Sequence, residues 1–497
     1  MARIVVLGAG ICGLAAGLLL RRDDHDVTVL ERDPGPAPVS AEDAWESWPR
    51  DGVIQFHQPH YLQSRGRIML EDELPDVVAA LEAAGGLRFD ALGVMPPLIT
   101  DRRPRDGDER FKTITARRPV LEAVLHRAAE AETGLDIRRG VCVRELVMTA
   151  YDGTQHVSGV RTNAGEELHA DLVVDAMGRR SQLPGWLESG GARPVHEEVE
   201  DSGFIYYTRY FRARDGEMPE FRAPPITPLG TFSLLTLPAD NHNWSVTVFT
   251  SAGDRPFKRL RERELWTALV AACPRHAQWL DGESTTDVLA MGGIVDRYRR
   301  FRVDHKPVAT GVASVGDAWA CTNPANARGM TLGLIHVQRL RDTIRGHLHD
   351  PLEFAEVWDT LTEAELAPWY RENVAEDRAR IAEIEALRHG RQPALARGSL
   401  AGLLGAMRVA VLHDADAFRT QLATRSCLTR FEETFANPAF VEWIRELARD
   451  GERPTLVGPN RTQLLALLAT GRVRSLGPRP RLGNVWAVFA CSFVCRR

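Results

Sequence analysis

A strand, a glycine-rich turn and a helix at the start of the chain constrain its fold more than any other segment. Ile4–Leu7 is an apolar run typical of a buried parallel strand, and Gly10–Arg22 has the pattern of a helix. Val27–Leu30 predicts a second buried strand. A β-α-β unit of this kind indicates a doubly wound α/β domain, because parallel strands need a crossover connection, usually a helix.

Three glycines occupy the turn before this helix: Gly8, Gly10 and Gly13. In such a turn the first glycine permits the tight bend, the second lets the backbone approach a pyrophosphate, and the third lets helix and strand pack. Glu31 ends the second strand, where a carboxylate can accept hydrogen bonds from a ribose diol, and Arg32 follows it. An acidic residue here favours a dinucleotide with an unphosphorylated adenosine ribose, FAD or NAD.

A second segment, far along the chain, narrows the predicted ligand to a flavin. Asp317 follows the apolar run Ala313–Val315, so its carboxylate stands at the end of a predicted buried strand and can bind a hydroxyl of a polyol. The N-terminus of the following helix can stabilise negative charge on a reduced flavin. The predicted contacts in this segment are Gly316, Asp317, Pro324, Arg328, Gly329 and Met330.

The remaining pattern predicts an α/β protein with three parts. Residues 1–190 and 300–347 carry both cofactor segments and are assigned to a Rossmann-like FAD-binding domain. Residues 191–299 contain aromatic and β-branched strand patterns, so they predict an inserted antiparallel β-sheet that binds substrate. Residues 348–497 have helical patterns rich in arginine and glutamate and predict a helical C-terminal extension.

Charge and cysteine content argue against several classes of function. The formal net charge is −5, so no basic field indicates nucleic-acid binding. The seven cysteines are scattered and odd in number, which favours reduced thiols in the cytoplasm and offers no metal-binding cluster. The apolar stretch Val485–Val494 is too short to span a membrane and predicts a docked terminal segment.

The order of these motifs resembles that of FAD-dependent monooxygenases of the p-hydroxybenzoate-hydroxylase-like superfamily. Between the two cofactor segments lies a predicted helix that carries Arg118, Leu121 and Leu125, as in that superfamily. The resemblance covers about residues 1–345. It implies that Arg118 contacts the phosphate or ribityl region of the flavin and that Asp317 binds the ribityl chain.

The middle motif departs from the usual form of that superfamily. Asp175–Ser181 reads Asp-Ala-Met-Gly-Arg-Arg-Ser, which is similar to the form in polyether-type flavin epoxidases and geranylgeranyl reductases. The resemblance implies that Asp175 and Gly178 belong to the cofactor site. Because the usual form is linked to NAD(P)H use, the departure leaves open whether NAD(P)H reduces the flavin directly or through a flavin reductase.

The resemblance implies a monooxygenase in which C4a-hydroperoxyflavin, formed with O₂, hydroxylates or epoxidises a small apolar substrate, for example a natural-product intermediate. The alternative is an FAD-dependent reductase or dehydrogenase of a prenyl-type or other apolar substrate. A flavin-dependent halogenase needs an early lysine and a Trp-x-Trp-x-Ile-Pro stretch, and no lysine precedes Lys112. Two intact cofactor segments disfavour a flavin-binding protein without enzymatic activity.

The predicted substrate pocket draws mainly on the inserted sheet. Its candidate residues are His57, Tyr207, Arg209, Phe232 and Trp244. Every second residue of such a strand faces a core, so each aromatic residue there is also a candidate core residue. His60 is a second histidine candidate for contact with flavin or substrate. The superfamily usually has glycine where this chain has Ala327, so we expect its methyl group to lie near the flavin ring and to be tolerated there.

Overall fold

The computed structural model describes residues 1–393, 400–450 and 457–471. Its strands, numbered in chain order, are β1 Arg3–Leu7, β2 Asp26–Glu31, β3 Leu87–Asp90, β4 Lys112–Thr115, β5 Leu135–Arg139, β6 Val143–Tyr151, β7 Thr154–Thr162, β8 Glu167–His169, β9 Leu172–Asp175, β10 His196–Asp201, β11 Phe204–Arg212, β12 Ile226–Leu229, β13 Phe232–Pro238, β14 Asn243–Ser251, β15 Glu283–Ser284, β16 Leu289–Met291, β17 Val295–Arg300, β18 Arg302–Val303, β19 Lys306–Pro307, β20 Val312–Ser314 and β21 Ala320–Cys321.

Its α-helices are α1 Ile11–Arg22, α2 Ala41–Glu46, α3 Ser64–Glu73, α4 Pro75–Ala83, α5 Arg118–Ala131, α6 Leu183–Ser189, α7 Arg263–Ala271, α8 Gly329–His347, α9 Pro351–Glu365, α10 Ala367–Arg388, α11 Leu400–Ala410, α12 Ala415–Arg425, α13 Phe431–Phe435, α14 Pro438–Asp450 and α15 Arg461–Thr470. The predicted docked segment Val485–Val494 lies outside the described residues and stays a prediction.

A five-stranded parallel sheet in the order β20-β9-β1-β2-β5 forms the centre of the N-terminal part. One face packs on α1, α5 and α8, and the other packs on α6 and the antiparallel strands β6 to β8. Cover on both faces explains why the core strands are almost continuously apolar. The predicted α/β fold class is confirmed. Helix α1 begins at Ile11, one residue later than predicted, because the extended backbone of Gly10 makes it the N-cap.

A second, antiparallel sheet lies within the predicted insertion, with the order β12-β13-β14-β11-β15 and with β16 also paired to β11. A third sheet, β10-β17-β21, contains strands from both sides of the predicted domain boundary. Main-chain hydrogen bonds therefore join the insertion to the segment that carries Asp317. The exact domain limits stay a prediction.

The C-terminal helices pack on both faces of the antiparallel sheet. Ile384 of α10 joins the core on the face that includes Tyr206. Leu464 of α15 joins the core on the opposite face, which includes Tyr207. The predicted helical extension is therefore confirmed, and it is integral to the fold. Within the described part of the chain, no helix combines the length and apolar character that crossing a bilayer requires.

Candidate flavin site

One cavity of about 660 Å³ lies between the carboxyl ends of the parallel strands and the antiparallel sheet. Its volume falls in the range of small-molecule and cofactor sites. Both cofactor segments line it, although nearly the whole FAD-binding part of the chain separates them. The predicted cofactor residues that line the cavity are Gly8, Gly10, Glu31, Arg32, Arg118, Gly178, Asp317, Pro324, Gly329 and Met330.

The glycine turn has the shape that a pyrophosphate requires. A Cβ atom added at Gly10 would meet no atom within 4 Å, so the cavity reaches the main chain there. A Cβ atom added at Gly13 would lie 1.8 Å from the carbonyl oxygen of Gly8, so only glycine lets α1 pack against the turn. The N-terminus of α1 thus faces open space with unpaired backbone N–H groups, as an anion site needs.

Glu31 lies at the end of β2, and protein donors occupy most of the hydrogen-bond acceptor positions of its carboxylate. Its Oε2 accepts the backbone N–H of Ala9 at 2.9 Å and lies 3.2 Å from Arg50 Nη1. Its Oε1 accepts the backbone N–H of Asp33 at 3.0 Å. A carboxylate has about four acceptor positions. Glu31 therefore retains about one for a ribose hydroxyl, and its three protein partners hold that position in place.

Arg50 was not found by the sequence analysis, and it organises the buried charges at this end of the cavity. Its guanidinium lies 2.7 Å from Glu122 and 2.9 Å from Asp33, and it donates to the carbonyl oxygen of Ala9 at 3.2 Å. Burial opposes its charge, but Glu122, Glu31 and Asp33 outweigh burial and raise the pKa of Arg50. An isolated arginine between two loops carries no local pattern that predicts this role.

Arg118 lines the middle of the cavity and is oriented by two neighbours. Its Nε donates to Glu122 at 3.1 Å, and its Nη1 lies 3.2 Å from His60 Nε2. His60 Nδ1 lies 2.8 Å from the carbonyl oxygen of Gln58, so Nδ1 carries the proton and Nε2 accepts from Arg118. Burial, helped by the charge of Arg118, lowers the pKa of His60 to about 3. A neutral His60 therefore lines the cavity and holds Arg118 there.

At the other end of the cavity, Asp317 makes no hydrogen bond to protein groups in the described part of the chain. Burial raises the pKa of its carboxyl, although the charges of Arg118 and Arg179 act in the opposite direction. The carboxylate is only partly buried and faces the cavity, so this unpaired acceptor is accessible to a ligand hydroxyl. Helix α8 begins beside it at Gly329, and Met330 also lines the cavity. The residues present therefore fit a flavin with its ribityl chain at Asp317.

Four predicted cofactor residues do not line the cavity: Gly13, Asp175, Gly316 and Arg328. The Asp175 carboxylate is fully buried and accepts from Ser181 at 2.5 Å, from the Met177 N–H at 3.1 Å and from Ser314 at 3.2 Å. The prediction that Asp175 contacts the cofactor directly is therefore corrected. Its carboxylate shapes the loop that brings Gly178, with φ +70°, to the cavity wall.

Arg328 and Gly316 also act behind the cavity wall. The Arg328 guanidinium points toward α10, where it donates to Asn373 at 3.1 Å and stacks over Trp369 at 5.4 Å. Gly316 has φ +57°, and a Cβ atom there would lie 2.8 Å from Cys12 Sγ, so this glycine permits close packing under Asp317. For both residues the prediction of ligand contact is replaced by a packing role.

Ala327 lines the cavity in a left-handed backbone conformation, with φ +51°. An L-residue with a Cβ atom pays about 1–2 kcal/mol for this conformation. The position thus has a backbone that glycine adopts without strain. That it faces the cavity agrees with the expectation of a methyl group near the ring, and its effect on a flavin stays a prediction.

The predicted substrate residues of the inserted sheet lie on the face that points away from the cavity. Tyr207, Phe232 and Trp244 pack in the core formed with α7 and α15, away from the cavity. Arg209 shares this face, where it donates to Thr267 at 3.1 Å and stacks over Trp266 at 5.2 Å. Successive strand residues point to opposite faces, so an assignment one residue off reverses the side. Their role as pocket residues is therefore corrected.

His57 also lies outside the cavity. Its Nε2 is 2.9 Å from the carbonyl oxygen of Trp45, and the two rings meet edge to face with centroids 4.9 Å apart. This hydrogen bond joins the loop that follows α2 to Trp45 of that helix, and His57 is not among the residues that line the cavity. Its prediction as a pocket residue is therefore wrong, for the same reason that many loop histidines are structural.

The opposite face of the sheet lines the cavity instead. Leu235 pairs with Thr247 and Thr247 pairs with Thr208, so these residues share a face with Tyr206, which lies two residues before Thr208 on β11. Tyr206, Leu235 and Thr247 line the cavity. Met291 of β16 pairs with Tyr206 and also lines the cavity, as does Ile294, which follows that strand. Tyr206 lies in the aromatic run of β11, and such a run by itself does not show which of its residues face the cavity. None of the residues that line the cavity is a lysine, and the described residues contain no cluster of three or more metal-ligating side chains.

Comparisons with known proteins agree with this geometry. Residues 3–199 match the FAD_binding_2 family, described as an FAD binding domain. Protein Rv3254 of Mycobacterium tuberculosis is 28% identical over 368 residues, which cover 69% of this chain and 72% of that protein. The solved structure of a triple mutant of flavin-dependent brominase Bmp2 is similar, with TM-score 0.58 and 15% identity, and covers 90% of this chain and 100% of its own.

The anhydrotetracycline hydroxylase OxyS from Streptomyces rimosus is similar in structure, with TM-score 0.53 and 19% identity over 86% of this chain and 76% of its own. Residues 3–199 thus match an FAD-binding domain, and the fold of the chain is similar to the folds of these flavin-dependent enzymes. The prediction of a flavin oxidoreductase is confirmed at this level. The polyether-type epoxidase branch stays a prediction.

Proposed function

We propose that this protein is an FAD-dependent monooxygenase that transfers one oxygen atom from O₂ to a small apolar organic substrate, by hydroxylation or epoxidation. The observation that carries the proposal is that Glu31 and Asp317 line one cavity from opposite ends. That arrangement suits an extended dinucleotide whose adenosine lies at Glu31 and whose ring system lies beyond Asp317. An apolar substrate, for example a natural-product intermediate, matches the apolar lining residues Leu235, Met291 and Ile294.

The chain's own residues bind and orient the reactants. When bound, the flavin supplies the oxidising chemistry with O₂. Glu31 accepts from the ribose, the N-terminus of α1 faces the pyrophosphate, and Asp317 accepts from the ribityl chain. The first N–H groups of α8, at Gly329 and Met330, line the cavity and would stabilise negative charge on a bound flavin ring.

The antiparallel sheet closes the cavity with a largely apolar wall. Leu235 is 7% exposed, Met291 is 9% exposed and Ile294 is 3% exposed. Such a wall excludes water and so protects a reactive oxygen species from side reactions. It also matches an apolar substrate. The absence of lysine from the cavity lining separates this site from the lysine-dependent halogenation considered above.

The source of electrons is NAD(P)H, acting directly or through a flavin reductase. The buried Asp175 and its hydrogen-bonded loop leave both routes open. Five described cysteines are free: Cys12, Cys142, Cys273, Cys321 and Cys427. Free thiols suit a reducing compartment, so we place the enzyme in the cytoplasm.

The proposal is tested with the purified protein reconstituted with FAD. NADH, NADPH, or NADH with a flavin reductase supplies electrons, and a panel of polycyclic aromatic and alkene compounds is incubated with and without O₂. We expect a product heavier by one oxygen atom that carries label from ¹⁸O₂. Product formation without O₂ would instead establish the reductase alternative, and failure to retain FAD would contradict both.

A further inference from the structure

Three side chains connect the cavity wall to a helix of the C-terminal extension. The phenol of Tyr206 donates to Asn323 Oδ1 at 2.6 Å, and Asn323 Nδ2 donates to Asp377 Oδ1 at 3.0 Å. Tyr206 and Asn323 line the cavity, whereas Asp377 lies on α10 behind it. A second carboxylate fixes the middle member, because the backbone N–H of Asn323 donates to Asp296 at 2.6 Å.

The direction of these hydrogen bonds determines what Tyr206 offers to a ligand. A carboxyl oxygen accepts, so the amide nitrogen of Asn323 faces Asp377 and its amide oxygen faces Tyr206. A phenol has one O–H group and can also accept. Because the only hydrogen is donated to Asn323, the Tyr206 oxygen presents lone pairs alone to the cavity. It can therefore accept a hydrogen bond from a ligand but cannot donate one.

Burial keeps the hydrogen bonds of Tyr206, Asn323 and Asp377 in one protonation pattern. Tyr206 is 4% exposed and Asp377 is 5% exposed. Burial, with a contribution from Asp377, raises the pKa of Tyr206 well above its usual value, so the phenol stays protonated. Burial is also the main cause that raises the pKa of Asp377 to about 8; Asp296 and Glu376 act in the same direction, and Asn323 and Arg328 oppose it. Asp377 Oδ2 has no protein partner in the described chain, so a proton there leaves Oδ1 an acceptor.

The surroundings of Tyr206 are apolar. Its ring stacks on Phe249 with centroids 5.2 Å apart, and Leu235 and Met291 share its core cluster. The nearby hydroxyl of Thr247 is already bonded to Thr208 at 2.8 Å. The Tyr206 oxygen is thus a polar acceptor beside the apolar side chains of Leu235 and Met291, which also line the cavity.

We propose that the sheet-lined end of the cavity binds an apolar molecule whose hydroxyl or amine group donates a hydrogen bond to Tyr206, and that Asn323 and Asp377 hold the phenol oxygen in its accepting orientation. This inference rests on the proposed function, since it names the substrate class of the same site. Tyr206 contacts the substrate, whereas Asn323 and Asp377 are positioning residues. The C-terminal extension thereby takes part in substrate selection.

Two probes that differ by one methyl group, and so in whether their oxygen carries a hydrogen, test the hydrogen bond without turnover. The dissociation constants of 2-naphthol and 2-methoxynaphthalene are measured on the FAD-loaded protein from changes in the flavin absorbance spectrum. A hydrogen bond buried in an apolar site is worth a factor of about ten in affinity. We expect the wild-type protein to bind 2-naphthol about tenfold more tightly and Tyr206→Phe to show no preference. Tyr207→Phe is the matched control, because its buried hydroxyl lies on the opposite face and has no partner among described residues.

The positioning role has its own readout. Asp377→Leu removes the acceptor for Asn323, so we expect the preference for 2-naphthol to fall to near unity. Asp377→Asn keeps an amide oxygen in its place and should restore the preference. Equal or undetectable binding of both probes by the wild type, or an unchanged preference in Tyr206→Phe, would overturn the proposal. FAD content and ¹⁸O₂ incorporation are measured in parallel, so a wild-type protein that retains both but shows no preference for 2-naphthol contradicts the Tyr206 assignment alone.

Discussion

Arg50 Nη1 lies 3.2 Å from Glu31 Oε2, and the same guanidinium lies 2.7 Å from the fully buried Glu122. The carboxylate at the end of β2 is therefore oriented by a residue outside the β-α-β unit. Through Glu122, Arg50 is also connected to Arg118 at the middle of the cavity. One arginine thus holds acceptor and donor groups at two positions along the proposed cofactor.

Arg50→Lys should weaken FAD binding by about tenfold. Lysine keeps the charge but is a single point donor, so it cannot contact Glu31, Asp33 and Glu122 together. Arg3→Lys is the control, because the Arg3 side chain is 59% exposed and pairs with Asp171 at 3.5 Å. The dissociation constant for FAD is measured by quenching of flavin fluorescence. Equal affinities of the two variants for FAD would show that Arg50 does not orient the site.

Asp317→Asn and Asp175→Asn should have opposite effects on the apoprotein. Asp317 has no hydrogen-bond partner among the described residues, so its substitution should leave thermal stability unchanged or higher. FAD affinity should fall by about 10- to 100-fold, as expected for a lost hydrogen bond to a charged group. Asp175 accepts three protein hydrogen bonds, so its substitution should lower the melting temperature. Calorimetry of both apoproteins gives the comparison. A destabilised Asp317→Asn apoprotein would contradict the assignment of this carboxylate to a ligand.

Ala327→Gly should stabilise the protein by about 0.5–1 kcal/mol. The substitution removes about 1–2 kcal/mol of left-handed backbone strain, and the greater freedom of glycine in the unfolded chain offsets part of that gain. Ala325→Gly is the matched control: it lies in the same short turn without positive φ and should destabilise by about 0.5–1 kcal/mol. Urea denaturation distinguishes the two. A loss of stability in Ala327→Gly would mean that the methyl group makes packing contacts worth more than the strain.

The stability of the protein should fall between pH 5 and pH 8 in a manner that depends on Asp377. Burial raises the pKa of this carboxyl to about 8 in the folded protein, above the usual value of 3.8. Between these values the folded state binds more protons than the unfolded state, so stability decreases as pH rises, by up to about 1.4 kcal/mol per pH unit. Asp377→Asn removes this dependence. Melting temperatures of the two proteins that fall in parallel across this range would refute the raised pKa.

The β-α-β unit and the Gly316–Asp317 segment were predictable because each depends on residues close in sequence. A turn that approaches a pyrophosphate needs glycine whatever the rest of the fold, and a buried parallel strand needs a continuous apolar run. The prediction failed on β11, where Tyr206 and Tyr207 are adjacent and equally aromatic. Successive residues of a strand point to opposite faces of the sheet. Only the pairing of β11 with its neighbouring strands therefore shows which of the two tyrosines faces the cavity.

The sequence by itself determined the fold class. It also identified the two segments that line opposite ends of the cavity, and Ala327 as an alanine at a position where glycine is usual. The tertiary structure decided that Arg50 orients Glu31, that Asp175 and Arg328 support the wall from behind, and that Asp377 on α10 reaches Asn323. The physical reason is the distance along the chain between the residues that interact. Backbone geometry and apolar periodicity are encoded within a few residues, whereas buried charges and hydrogen-bonded chains form between segments that only the folded packing brings together.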